Sequence, residues 1–245
     1  MKISKYLFLF IVVGFLSCSE DNLSDTGDLT INFKLEYDGA PVVMFDNYVY
    51  PDGQDFFFSR FSFYMADIDL GSGAMDRVHY VNPTNAHSTM AGAMEGYDFT
   101  LRDIAVGNYT QLAFDIGVPE SQNATAPADY SSDNDLSLAS EYWSPWGSYI
   151  FSKTEAKLDN DGDGINETSI ALHIGSDEAL RSVNMAKNFT IGGDGTEQID
   201  VVIDLKKVFD GDAGVYDIIA NPSTHQLSQN GPINEIADNI SKAFQ

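Results

Sequence analysis

One cysteine, Cys18, stands in 245 residues, so no intramolecular disulfide can brace the chain and its fold must rest on a packed core. Basic residues are scarce as well: 13 Lys and Arg face 37 Asp and Glu, a formal net charge of −24. A field of that sign repels phosphate backbones and bulk anionic membrane and gathers cations, which excludes nucleic acid as a partner and leaves metal ions as candidates. No apolar run is long enough to span a bilayer; the N-terminal one ends after Tyr6 to Leu16. The sequence has no G-x-S-x-G, no H-E-x-x-H and no phosphate-cradling glycine loop. Carboxylates are too many for any two to stand out as a hydrolytic pair, so a hydrolase is the weakest reading and a non-catalytic role the leading one. Histidine is limited to positions 79, 87, 173 and 225, and tryptophan to 143 and 146.

What is present begins with an export signal. Lys2 and Lys5 precede the apolar run, and Ser17 and Cys18 follow it, which marks residues 1–17 as a signal peptide. A cysteine at the cleavage point has the form of a lipobox, with Phe15 where leucine is usual; the alternative is an ordinary signal peptide cut near Ser17. Residues 18–28, opening with CSEDN, are polar and acidic and resemble the tether of Bacteroidetes lipoproteins sent to the outer surface. The expectation is an outer-membrane lipoprotein held through Cys18 and exposed at the cell surface, a periplasm-facing one being the alternative. Loss of Lys2 and Lys5 leaves 11 basic against 37 acidic residues in the mature chain, a charge of −26.

With 43% apolar and 12% aromatic residues, the remainder can bury a real core. Leu29, Ile31, Phe33, Leu35 and Tyr37 alternate as in a strand with one buried face. Phe57, Phe61, Phe63 and Met65 do the same within 55–70, with RVHYV (77–81) as a partner. Residues 97–119 read as two strands joined at Gly107-Asn108, and GSYIFSKTEAKL, TSIALHIG and EQIDVVIDLKKVF as later strands. Only PINEIADNISKAF, through Ile233, Ile236, Ala237, Ile240 and Phe244, has helical spacing. The fold class is therefore all-β, an antiparallel β-sandwich with a short C-terminal helix in one domain, residues 29–245. The long connections 82–96 and 119–141 are candidate functional surfaces.

Three local patterns bear on metal chemistry. Asp159, Asp161 and Asp163 alternate before Gly164, the spacing by which an EF-hand loop aims carboxylates at Ca²⁺. The Ile165 carbonyl and Glu167 complete the candidate set, but Ile170 occupies position 12, where a bidentate Glu belongs; the same residues also suit a plain acidic hairpin turn. A hairpin symmetric about Asp163 puts Lys153 opposite His173, with Tyr149, Phe151, Lys153, Glu155 and His173 on one face and Ile170, Leu172 and Ile174 on the other. Finally, His87, Met90 and Met94 lie in one loop and could offer Cu(I) an imidazole and two thioethers, or be methionines packed under a loop.

NDLSLASEYWSPWGSYIFSKTEAKLD followed by LHIG resembles the methanobactin-associated copper-binding partner (MbnP-like) family, and FSFYMADIDL, RVHYV and VGNYTQLAFDIGVP resemble its upstream segments in order. The likeness runs over roughly residues 28–206. Tyr142, Trp143, Tyr149, Lys153, Glu155 and His173 hold the family's positions, whereas Glu141 replaces a methionine and Pro145 moves the second tryptophan to 146. What the resemblance implies is an exported β-sandwich that binds copper, with His173 and Trp143 or Trp146 as site residues. In some members a tryptophan is oxidised to kynurenine by a dihaem enzyme of the cytochrome c peroxidase type. The competing expectation is a metal-independent surface module that recognises a glycan or protein through Trp143, Trp146 and Tyr142.

Overall fold

A computed structural model describes residues 25–245. The signal peptide, Cys18 and most of the acidic tether lie outside the described residues. Nine strands carry the fold: β1 (Thr26–Tyr37), β2 (Asp55–Asp69), β3 (Ala74–Val81), β4 (Tyr97–Ala105), β5 (Gly107–Ile116), β6 (Ser148–Leu158), β7 (Thr168–Gly175), β8 (Arg181–Ile191) and β9 (Thr196–Asp204). They form an all-β sandwich. The smaller sheet has β1 between β9 and β4, with Ala40–Pro41 extending it. The larger runs β7-β6-β2-β5-β8, with β3 also paired to β2.

The buried alternation is the inter-sheet core, except that on β2 it runs through Phe56 and Phe58 and not through Phe57, because a bulge between Phe58 and Arg60 shifts the register ahead of Phe61 and Phe63. Leu29, Ile31, Phe33 and Leu35 are fully buried on β1 and meet Phe56, Phe58, Phe61 and Phe63 of β2 in one cluster; Phe33 and Phe63 are edge to face at 5.7 Å. The helix Asn230–Ser241 packs on β7 and β8 through Ile233, Ile236, Ala237 and Ile240. Beyond it Phe244 enters the core against Phe63 and Phe114.

Further features depart from the sequence expectations, among them the end of EQIDVVIDLKKVF, where the strand stops at Asp204 and Lys206–Phe209 is helical. β1 begins at Thr26, inside the stretch assigned to the tether, because Thr26 to Asp28 find partners on β4 and β9. β4 and β5 do not form a hairpin: only Val106 separates them, too little to close one, and they belong to different sheets. The β1–β9 pair is parallel in an otherwise antiparallel architecture. β8 has no counterpart among the expected strands, since Lys187 interrupts its apolar alternation of Val183, Met185, Phe189 and Ile191.

The β6–β7 hairpin sets the positions of the candidate site residues. Its register sets His173 opposite Lys153, as the symmetric hairpin requires, until a bulge after Ile174 puts Gly175 opposite Ile150. One face of β6, with Ser152, Thr154, Ala156 and Leu158, follows the phenylalanines of β2 into the inter-sheet core. The other carries Tyr149, Phe151, Lys153 and Glu155 beneath the 117–147 connection, which holds down Tyr149 through a hydrogen bond from its hydroxyl to the Leu136 carbonyl (2.9 Å).

Candidate metal centre

Trp143 and Trp146 are brought together by a small hairpin. Tyr142 pairs with Tyr149 and Trp143 with Ser148, and the Trp143 carbonyl accepts the N–H groups of Trp146 (2.9 Å) and Gly147 (3.1 Å). Pro145 sits inside this turn, and Gly147 at φ 63° closes it in a conformation that side chains disfavour. The indoles end 6.4 Å apart, edge to face. Trp146 lies across Gly175, where a Cβ would come within 2.8 Å of its ring.

Beside these indoles stand two imidazoles. His173 comes from β7. His225 comes from the connection after the last sheet strand, which runs along the free edge of β7: Ala171 N–H donates to the Pro222 carbonyl (2.8 Å), Thr224 N–H to the Ala171 carbonyl (3.1 Å), and Thr224 Oγ1 to the His173 carbonyl (2.8 Å). The rings of His173 and His225 are 4.8 Å apart centre to centre, Trp143 stacks on His225 at 5.6 Å, and Trp146 Nε1 donates to the His225 carbonyl at 3.1 Å.

Hydrogen bonding leaves this group incomplete. His173 Nε2 is 2.9 Å from Glu155 Oε1, but His173 Nδ1, His225 Nε2 and Trp143 Nε1 are all buried without a partner. Buried polar atoms are rarely orphaned, and these three belong to rings in direct contact with one another. Burial, followed by the neighbouring His173, lowers the pKa of His225 against an opposing pull from Glu155, a net shift that favours the neutral ring.

Under the site lies a buried charge cluster. Glu141, 2% exposed, accepts from Arg60 (2.8 Å) and pairs with Lys153 (2.9 Å), itself 5% exposed. Burial alone would raise the pKa of Glu141, but hydrogen bonding and attraction from Lys153, with Arg60, outweigh it and the net shift is downward. The hydrogen bond from His173, more than the opposing burial, lowers Glu155.

The other expected donors are arranged differently. His87 is fully buried, with Nδ1 bonded to the Val42 carbonyl (2.9 Å) and Nε2 facing the Leu35 N–H (3.4 Å), so its ring serves the core. Met90 and Met94 lie on the short helix Met90–Glu95 with their side chains outward, and the loop does not assemble a His-Met-Met set. Tyr142, Trp143 and Trp146 are half-buried against the protein rather than spread as an open platform.

At the hairpin turn, Asp159, Asp161, Asp163 and Glu167 bring carboxylate oxygens within 4.8 Å of one another. Asp159 is turned inward to accept from the N–H groups of Gly162 (2.7 Å) and Gly164 (2.8 Å), and these bonds, Gly164 foremost, lower its pKa. The Ile165 carbonyl accepts the Glu167 N–H at 3.1 Å. The placing of His225 beside His173 and the contact of Glu155 with His173 are what sequence reasoning missed. The only available signal for the former was that four histidines had to supply any imidazole pair.

Residues 26–229 match the family model described as MbnP, a span that takes in His225. Among solved structures the chain is similar to MbnP from Methylosinus trichosporium, at 13% identity and a TM-score of 0.54, over 89% of this chain and 97% of that one. Likeness at that identity concerns the fold. A comparison with curated proteins finds no match.

Proposed function

The chain belongs to the MbnP family, and from that premise we propose that it is a copper-binding protein, without catalytic activity of its own, whose metal is held by His173 and His225. The observation that carries this reading is the pair of adjacent imidazoles, each with a buried and unpartnered ring nitrogen. Neutral imidazole suits copper and other borderline metals, not Ca²⁺ or Mg²⁺, so the donor set fits. An intact indole offers only an N–H donor. Trp143, stacked on His225 with its own Nε1 unpartnered, is the residue whose oxidative opening to kynurenine adds an aromatic amine beside that pair. A dihaem peroxidase-type enzyme is the proposed agent of that oxidation, with Trp146 the second candidate.

The packing of Tyr142, Trp143 and Trp146 against the protein favours copper over a flat recognition surface. Export, lipid attachment through Cys18 and display on the outer membrane complete the proposal, on the sequence of residues 1–28. Calcium at Asp159, Asp161, Asp163, the Ile165 carbonyl and Glu167 is proposed as a brace for the hairpin that carries His173.

The test is copper content and affinity of protein purified from its own host, with peptide mass analysis of residues 141–153. One-residue variants His173→Ala and His225→Ala should each weaken copper binding by about 100-fold or more, while Met90→Leu and Met94→Leu leave it unchanged. Parent-like affinity in both histidine variants would defeat the reading.

A further inference from the structure

Each histidine has two ring nitrogens, and the copper reading does not say which one meets the metal. The geometry points to Nδ1 at His173, with Glu155 as the positioning residue that fixes this choice. The inference rests on the copper reading and adds to it the tautomer and its cause.

An ionised carboxylate can only accept, so the 2.9 Å contact between Glu155 Oε1 and His173 Nε2 requires the proton on Nε2. Nδ1 is then the lone-pair nitrogen, and it is the one buried without a partner beside His225. The opposite tautomer fails twice. It sets a lone pair against the carboxylate and leaves a buried N–H at Nδ1 with nothing to accept it.

The backbone of Glu155 is fixed from both sides. In the sheet it is paired with Arg60 on β2 and Ala171 on β7, and Lys153, two residues before it, is opposite His173. Lys153 Nζ is committed to the Ser140 carbonyl (2.7 Å) and Glu141, and Arg60 to Glu141 and the Tyr80 hydroxyl (2.7 Å). Two cations thus share one buried carboxylate, and neither is bonded to Glu155, whose side-chain partner is His173. Apolar side chains would fill this face at less cost in desolvation, so four charges here need a purpose beyond packing. Orienting a ligating imidazole is such a purpose: a carboxylate on the distal N–H holds the ring and increases its basicity toward a metal.

The experiment is a long-range ¹H–¹⁵N correlation spectrum of the imidazoles in uniformly labelled, metal-free protein near neutral pH, with titrations of Cu(I) and Cu(II) alongside. Expected for the parent is His173 protonated at Nε2 and bare at Nδ1. Glu155→Gln, which keeps an acceptor oxygen, should retain that tautomer; Glu155→Leu should lose it and bind copper about 10- to 100-fold more weakly. A parent His173 protonated at Nδ1, or a Glu155→Leu variant with the parent's tautomer and affinity, overturns the inference. Should Glu155→Leu not fold, the parent and Glu155→Gln spectra decide alone. A parent that takes up no copper defeats the copper reading and not the tautomer, which is read without metal.

Discussion

The β6–β7 hairpin carries acidic groups at its turn and along its body, and the two are built on opposite terms. At the turn, Asp159, Asp161, Asp163 and Glu167 come from one short stretch, three of the four are exposed, and among the described residues none has an ion-pair partner. Along the body, Glu155, and Glu141 laid against it from the 117–147 connection, are met by Arg60, Lys153 and His173, which come from separate strands and are largely buried. The exposed group is screened by solvent and mobile counterions. The buried group contains its own, because an unpaired charge cannot persist in a low-dielectric interior.

The sharpest way to break this comparison is to remove one carboxylate from each group and measure urea unfolding without added metal. Glu141→Ala strands Arg60 and Lys153 and should cost about 3–5 kcal/mol. Asp161→Ala relieves repulsion among exposed neighbours and should stay within about 0.5 kcal/mol. Equal losses would show that the turn is as internally balanced as the body.

A second, smaller effect should separate them by ion dependence. Calcium at about 100 times its dissociation constant should stabilise the parent by about 2.7 kcal/mol through linkage, visible as a raised thermal midpoint. Asp161→Ala should lose most of that gain and Glu141→Gln none of it. An unchanged midpoint at millimolar calcium would remove the brace from the proposal.

The smallest effect is in pH, since only the protonation of Glu141 is at stake. Its folded pKa lies below the ordinary value of 4.5 because Lys153 and Arg60 outweigh burial. Its contribution is therefore complete above pH 4.5 and declines as the pH falls through the lowered folded value. Stability curves of the parent and Glu141→Gln should converge across that acid window, and parallel curves would mean that the pair does not couple to folding.

The same contrast explains what could be read from the sequence. The carboxylates at the turn were legible because their geometry is local, and so was the Lys153–His173 pairing, which comes from counting outward from Asp163. His225 was not: residues 222–225 have no alternation, and the segment joins β7 by a few backbone and side-chain bonds that no periodicity encodes. The grouping of His87 with Met90 and Met94 shows the converse error, in which closeness along the chain stood for closeness of donors. His87 turns into the core while the thioethers face outward. The sandwich itself was visible in alternating apolar residues, but not the strand broken by Lys187, nor the parallel pair that joins opposite ends of the domain.

That parallel pair has a kinetic consequence. Lys34 on β1 and Asp200 on β9 are bonded across 166 positions of chain, so one of the first strands to be synthesised waits for one of the last before its sheet can close. Contacts of such long range are slow to form, because the loop entropy is spent before the pairing repays it. A nascent chain therefore has no complete smaller sheet to collapse into while its C-terminal part is missing. The segment beyond β9 is also the one that sets His225 beside His173, so under the copper reading the two imidazoles are not assembled until that segment has joined the sandwich.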